Sequence, residues 1–276
     1  VGALVPWAKA GVGAVATQSL VDPSYGPLGL ELMAAGRSAT QALEALTVAD
    51  AHPEIRQVAM VDASGDVSAH TGDNCIPEAG HRIGTNYSVQ ANLMANDTVP
   101  DAMAEAFESA EGDLAARLLA ALVAAEAAGG DIRGKQSAAI LVVGGEPTGR
   151  VWQDTVVDLR VEDHADPLAE ISRLLTVHRG YQKMNEGDLA IEHGDLEAAE
   201  AAYGRAQEIL GPGNLEASYW YAVALCNAGQ VDRAVEVFHQ VFRQGENWRT
   251  LTPRLIGGGF LVADEATLER ILTLED

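Results

Sequence analysis

Residues 98–143 read TVPDAMAEAFESAEGDLAARLLAALVAAEAAGGDIRGKQSAAILVV, and this stretch decides the fold class. Val99, Met103 and Phe107 recur at helical spacing, predicting a helix from about Thr98 to Ser109. A second helix follows from about Gly112 to Ala128, alanine- and leucine-rich on its inner face, and Gly129-Gly130 ends it. Ser137 to Val143 is then a continuous apolar run, as expected of a strand covered on both faces. Two helices in succession between strands do not fit a doubly wound parallel sheet, in which helices and strands alternate singly.

Outward from this stretch the same order repeats. Val12 to Gln18 reads as a buried strand, Leu28 to Ala35 as a short helix closed by Gly36, and Ser38 caps the next helix with Gln41 in capping-box position. Ile55 to Asp62 alternates, Ala63-Ser64-Gly65-Asp66 is a hairpin turn, and Val67 to Thr71 returns. Gly72 to Gly84 reads as a polar loop, Tyr87 to Ala91 as a strand, and Val151 to Val161 as the last strand. Helix pairs between groups of strands suit stacked sheets flanked by helices, an α+β layered domain at residues 1–165.

Beyond the acidic linker 162–167 only helical patterns remain, a second domain at residues 168–276. Gly194, Ala199 and Tyr203 recur as Gly229, Ala234 and Phe238, each 35 residues on, with Gly211-Pro212-Gly213-Asn214 as the turn between copies. This is close to the ~34-residue tetratricopeptide period, in which small residues let paired helices approach and an aromatic fills the gap. Tyr219, Trp220, Tyr221 and Trp248 read as packing aromatics of these repeats, with a groove for a partner protein as the functional alternative. Gly257-Gly258-Gly259 reads as a turn.

Bulk composition excludes some functions. The formal net charge of −22 repels nucleic-acid phosphates and anionic lipid, so neither is expected as a partner. No apolar run approaches the ~20 residues of a membrane-spanning helix. The two cysteines, Cys75 and Cys226, imply no disulfide framework and favour a reducing, cytoplasmic setting. The chain opens at Val1 rather than methionine, which leaves an upstream targeting segment open. Gly11-Val12-Gly13 lacks the rest of a dinucleotide fingerprint, and no cofactor is expected.

The stretches VGALVPWA (1–8) and GVGAVATQ (11–18), His70-Thr71-Gly72 with Cys75-Ile76-Pro77 and Gly80-His81, YSVQANLM (87–94) with AMAEAF (102–107), and GGDIRGKQS (129–137) resemble, in order, domain-of-unknown-function family 1028. That family is placed in the N-terminal-nucleophile hydrolase superfamily. The resemblance implies a four-layer αββα sandwich and hydrolysis of an amide-type bond in a small molecule or peptide. A Thr, Ser or Cys at the start of the mature chain would attack, its own amine near pKa ~8 acting as base. Family members begin about one strand-hairpin earlier. Here residue one is Val1, so either an upstream segment is absent from this sequence or the chain lacks that chemistry. No nucleophile is assigned in this numbering.

Candidate site residues follow. Asp131, Arg133, Lys135, Gln136 and Ser137 crowd between two glycines and a strand; a carboxylate and a cation there suit catalysis and substrate orientation, and an exposed loop explains them equally. Asn92, after a strand and before a helix, could donate to a developing oxyanion, or serve as a turn residue or helix cap. Gln18 and Ser19, at the end of the first strand, could line the same pocket, but ordinary strand-end polarity is the favoured reading. His70, Cys75 and His81 are spaced by five and six residues on a glycine-rich loop. That spacing fits no standard zinc module, and loop anchoring is preferred over a metal site or a thiol nucleophile. Two functions therefore stand: an amide hydrolase whose helical domain mediates self-association or holds a partner, and a non-catalytic scaffold that works through its repeats.

Overall fold

The structure, a computed structural model, describes residues 4–274. It divides into two compact units between Leu174 and Leu175.

The first unit is mixed α/β with small antiparallel sheets. β1 (Pro6–Lys9), β2 (Gly13–Ser19), β3 (Arg56–Asp62) and β4 (Val67–Thr71) form a four-stranded sheet in that order. Between β2 and β3 lie α1 (Tyr25–Ala34), α2 (Ala39–Ala49) and a 3-10 turn at Pro53–Ile55. β5 (Gly80–Gly84) and β6 (Tyr87–Ala91) make a two-stranded ribbon, followed by α3 (Val99–Ser109) and α4 (Leu114–Ala127). β7 (Ala138–Val143) pairs with β8 (Thr155–Val161) across the short α5 (Val151–Asp154), and α6 (Pro167–Glu192) begins where the acidic linker ends.

The two faces of β3 explain the layering. Side chains alternate along a strand, so Val58 and Met60 join Val15 of β2 beneath Leu30 and Met33 of α1 and Ala42 and Leu43 of α2. Gly29 permits this approach, because a Cβ there would lie 2.8 Å from the Met60 methyl. Gln57 points the other way and reaches the ends of β5 and β6. α3 then packs on the ribbon through Tyr87 and Phe107, whose ring centroids are 4.7 Å apart.

The capping box at Ser38 is formed, with Gln41 N–H donating to Ser38 Oγ and Gln41 Oε1 accepting from Ser38 N–H. The β3–β4 turn also serves this helix, since Asp62 and Asp66 accept from the amides of Ala39 and Thr40.

Three elements depart from the sequence expectation. β5 occupies part of the segment read as a polar loop; its residues are mostly exposed, so no apolar alternation marks it, and pairing with β6 makes it a strand. β1 is a short edge strand opened by Pro6, a position where the missing N–H costs no ladder bond. β8 begins at Thr155 because residues 151–154 turn as α5.

The second unit is helical. After α6 come α7 (Leu196–Leu210), α8 (Leu215–Asn227), α9 (Val231–Phe242), α10 (Glu246–Gly257) and α11 (Glu265–Leu272). The 35-residue repeat recurs in the hydrogen bonds. Gly194 N–H and Asp195 N–H donate to Ile191 and Ala190, and Gly229 N–H and Gln230 N–H donate to Cys226 and Leu225. Both glycines take the left-handed conformation, φ 74° and 76°, as helix-ending glycines do. Ala199, Ala234 and Phe238 are fully buried, and Tyr203 is nearly so. Asn214 caps α8 after the Gly211 turn, and Gly258 and Gly259 end α10. Tyr219 is buried against Trp220, Phe238 and Trp248 and bonds Thr252 at 3.2 Å. Tyr221 is half-buried and accepts from Arg233. Among the described residues no helix is long and apolar enough to cross a membrane.

One ion pair ties α2 to β3. Arg56 Nε donates to Asp50 Oδ2 at 2.8 Å, and Tyr25 hydroxyl donates to the same oxygen at 3.0 Å; the Asp50 side chain is only 8% exposed. The Arg56 bond, outweighing burial, holds the Asp50 carboxyl down at about 2. A carboxylate whose folded pKa lies below its unfolded ~3.9 contributes stability above pH 4 and loses it as pH falls toward 2. Asp50→Asn is therefore expected to cost roughly 2 kcal/mol at pH 7, with the gap to wild type narrowing between pH 4 and pH 2. Urea unfolding across that range checks it; a gap independent of pH contradicts it.

Candidate functional site

The site is built around Gln57. The register aligns Gln18 of β2, Gln57 of β3 and Thr71 of β4 as successive cross-strand partners, so three polar side chains share one row of the sheet. Gln57 is fully buried. Its Nε2 donates to the Ala91 carbonyl at 2.8 Å, the Gly80 carbonyl at 3.1 Å and Thr71 Oγ1 at 3.0 Å. Its Oε1 accepts from Gln18 Nε2 at 2.6 Å and from Asn92 Nδ2 at 2.9 Å. Gln18 Nε2 also reaches the Gln90 carbonyl at 3.3 Å. The sequence-predicted Gln18 and Asn92 thus meet, 74 residues apart in the chain, through a residue the sequence reading passed over.

Backbone strain gathers at the same place. Among the described residues, four non-glycine residues have positive φ: Ser19 (69°), Glu78 (59°), Asn86 (63°) and Leu93 (59°). Asn86 belongs to the β5–β6 turn, where asparagine tolerates this conformation. Ser19 and Leu93 directly follow Gln18 and Asn92, and Met94 N–H donates to the Glu78 carbonyl at 3.2 Å. Such conformations cost on the order of 1–3 kcal/mol each and persist only where surrounding bonds over-determine them. Leu93 is held from the other side by Ile132 N–H at 2.9 Å, beside the Met94–Asp131 bridge.

The Gln57 network continues through Thr71 Oγ1 to His81 Nδ1 at 2.8 Å. Burial, and then the nearby His70, push the His81 imidazole below its ordinary value. His81, Thr71, Asp73, Cys75 and Glu78 line an open cavity of about 430 Å³. The other members of the suspected metal trio are engaged elsewhere. His70 Nε2 bonds the Pro53 carbonyl at 2.7 Å, and Cys75 Sγ donates to the Arg56 carbonyl at 3.3 Å. Among the described residues no group of three or more His, Cys, Asp or Glu is arranged to hold a metal ion.

The cluster from Asp131 to Ser137 lines a different cavity, of about 500 Å³, with Met94 and Leu122. Arg133 grips Asp131 through two bonds, Nε to Oδ1 at 2.9 Å and Nη2 to Oδ2 at 2.6 Å. The Arg133 bonds hold the Asp131 carboxyl below the usual carboxylate range. Lys135 lies 3.6 Å from Glu126 and 3.5 Å from Asp166, and Gln136 donates to Asp163 at 3.0 Å. Asp131 and Arg133 are therefore paired with each other, and Lys135 with carboxylates on either side of the loop. The backbone brings this loop beside Leu93 and Met94, while the side chains of Asn92 and Asp131 serve separate networks.

Gln57, Thr71, Glu78 and Leu93 were missed by sequence reasoning. One signal was available: a glutamine opening the run Gln57-Val58-Ala59-Met60, all four buried. Positive φ at Leu93 has no signature in its side chain.

Comparisons with known proteins match two separate stretches of the chain. A model described as a family of unknown function, DUF1028, matches residues 1–171. A tetratricopeptide-repeat model matches residues 190–252. The crystal structure of a protein from Silicibacter pomeroyi, assigned to the DUF1028 family model, is similar with a TM-score of 0.57 and 28% identity, covering 72% of this chain and 79% of that one. No curated protein matches.

Replacing Gln57 would strand several groups at once. Gln57→Leu leaves the buried Ala91 carbonyl and the inward N–H of Asn92 without their partner and is expected to cost about 2–3 kcal/mol, whereas Asn92→Leu, at the rim, is expected to cost about 1 kcal/mol or less. Urea unfolding of both variants decides; equal costs contradict the central place of Gln57.

Proposed function

Because this chain belongs to the DUF1028 family through residues 1–171, we propose that its first unit hydrolyses an amide-type C–N bond by the N-terminal-nucleophile route. No residue of this sequence is assigned the nucleophile. In that chemistry a hydroxyl or thiol attacks the carbonyl carbon, the amine leaves with a proton, and water releases the acyl group. Helices on one face of the β1–β4 sheet, the β5–β6 ribbon on the other and α3 beyond it support the four-layer sandwich that the resemblance implies.

The observation that carries the reading is the amide cluster at the ends of β2, β3 and β6, with strained residues directly after Gln18 and Asn92. Asn92 Nδ2 spends one N–H on Gln57, and its second N–H is the candidate oxyanion donor. Asp131 and Arg133, locked together, act as a fixed wall, and Lys135, Gln136 and Ser137 bind more distant parts of the substrate. Residues 1–165 are then the catalytic domain and residues 168–276 a helical domain that holds a partner protein, the latter supported by the tetratricopeptide match.

Assay of the full-length gene product on primary amides, ureides, lactams, peptide anilides and esters tests it. Turnover of an amide-type substrate is expected, falling about 100-fold or more in a folded Asn92→Ala variant. No turnover across the panel, or turnover unchanged by Asn92→Ala, overturns the reading.

A further inference from the structure

The hydrogen-bond directions at Gln57 determine more than its own orientation. Carbonyl oxygens only accept, so the atom facing the Ala91 and Gly80 carbonyls must be the amide nitrogen. The Gln57 oxygen then faces Gln18 and Asn92, and each must turn its NH2 inward. Their own oxygens are left over. Among the described residues Gln18 Oε1, Asn92 Oδ1 and the second Asn92 N–H have no partner. Every buried side-chain nitrogen or oxygen among the described residues has a partner, and both side chains are half-buried, so these two oxygens are open to solvent.

We propose that Gln57 is a positioning residue, and that the Gln18 and Asn92 oxygens it turns outward bind the N–H groups of a primary carboxamide. Asn92 offers an acceptor and a donor on one planar group, the complement of a carboxamide's own N–H and C=O. A cationic amine fits less well, because no carboxylate bonds to the three amides among the described residues, and a cation would give up water without a counter-charge. An ester brings no N–H and would cover two acceptors without pairing them. As a statement about substrate the inference rests on the hydrolase reading; as a statement about binding it does not.

The test uses benzamide, N,N-dimethylbenzamide and methyl benzoate, titrated into the 276-residue chain while the side-chain NH2 signals of Gln18, Gln57 and Asn92 are followed by NMR. Benzamide is expected to bind at least about tenfold more tightly than the other two and to shift the Asn92 signals. Asn92→Leu is expected to abolish the preference, and so is Gln57→Leu, which frees both amides to rotate while leaving them present. If Gln57→Leu does not fold, the wild-type and Asn92→Leu ratios decide. Equal binding of the three probes, binding of none up to its solubility limit, or a preference surviving Asn92→Leu overturns the proposal. A preference without any turnover by the full-length product sinks the hydrolase reading alone; turnover without a preference sinks this one alone.

Discussion

A carboxamide buried in an apolar sheet must satisfy both ends of its dipole or cost about 1–3 kcal/mol for each group left unpaired. Gln57 meets this demand by drawing on four other strands. Its nitrogen requires the ends of β5 and β6 to lie over β3 at one height, and its oxygen requires two donors, from Gln18 and Asn92. Those donors sit where β2 and β6 stop, and each strand turns away through a residue in a conformation that L side chains rarely adopt. The strained residues Ser19 and Leu93 thus lie directly beside the two donors of Gln57, whose oxygen fixes which edge of each amide faces inward.

Local signals were the legible ones. The Ser38 capping box, the Gly65 turn and the paired helices around Ser109 can be read because their interactions close within a few residues. The 35-residue repeat was legible because the same backbone bonds recur at Gly194 and Gly229 and leave the same residue types behind. β5 was hidden because an exposed edge strand has no alternation to betray it. Gln18 and Asn92 were picked out singly as strand-end polar residues, but their meeting depends on cross-strand register, which no single stretch records. The Asp131 loop reads in the sequence as a dense polar cluster, but its pairing of Arg133 with Asp131 and of Lys135 with Glu126 and Asp166, residues on either side of it, is not recorded in any single stretch.

The helical unit obeys a different logic. Its core is a run of nearest-neighbour contacts, Met184 and Tyr203 with Ala217, then Tyr219 with Phe238, Val241 and Leu255, so each helix pair depends on the next rather than on one central residue. The first unit concentrates specificity in a few buried hydrogen bonds, and the second spreads it over many small apolar contacts.

Neutron diffraction from a perdeuterated crystal tests the central claim most directly, because it locates the deuterons. The account predicts two deuterons on Gln57 Nε2 directed at its carbonyl and hydroxyl acceptors, and one each from Gln18 and Asn92 directed at Gln57 Oε1. An oxygen of Gln18 or Asn92 facing Gln57, with a deuteron from Gln57 between them, would contradict it.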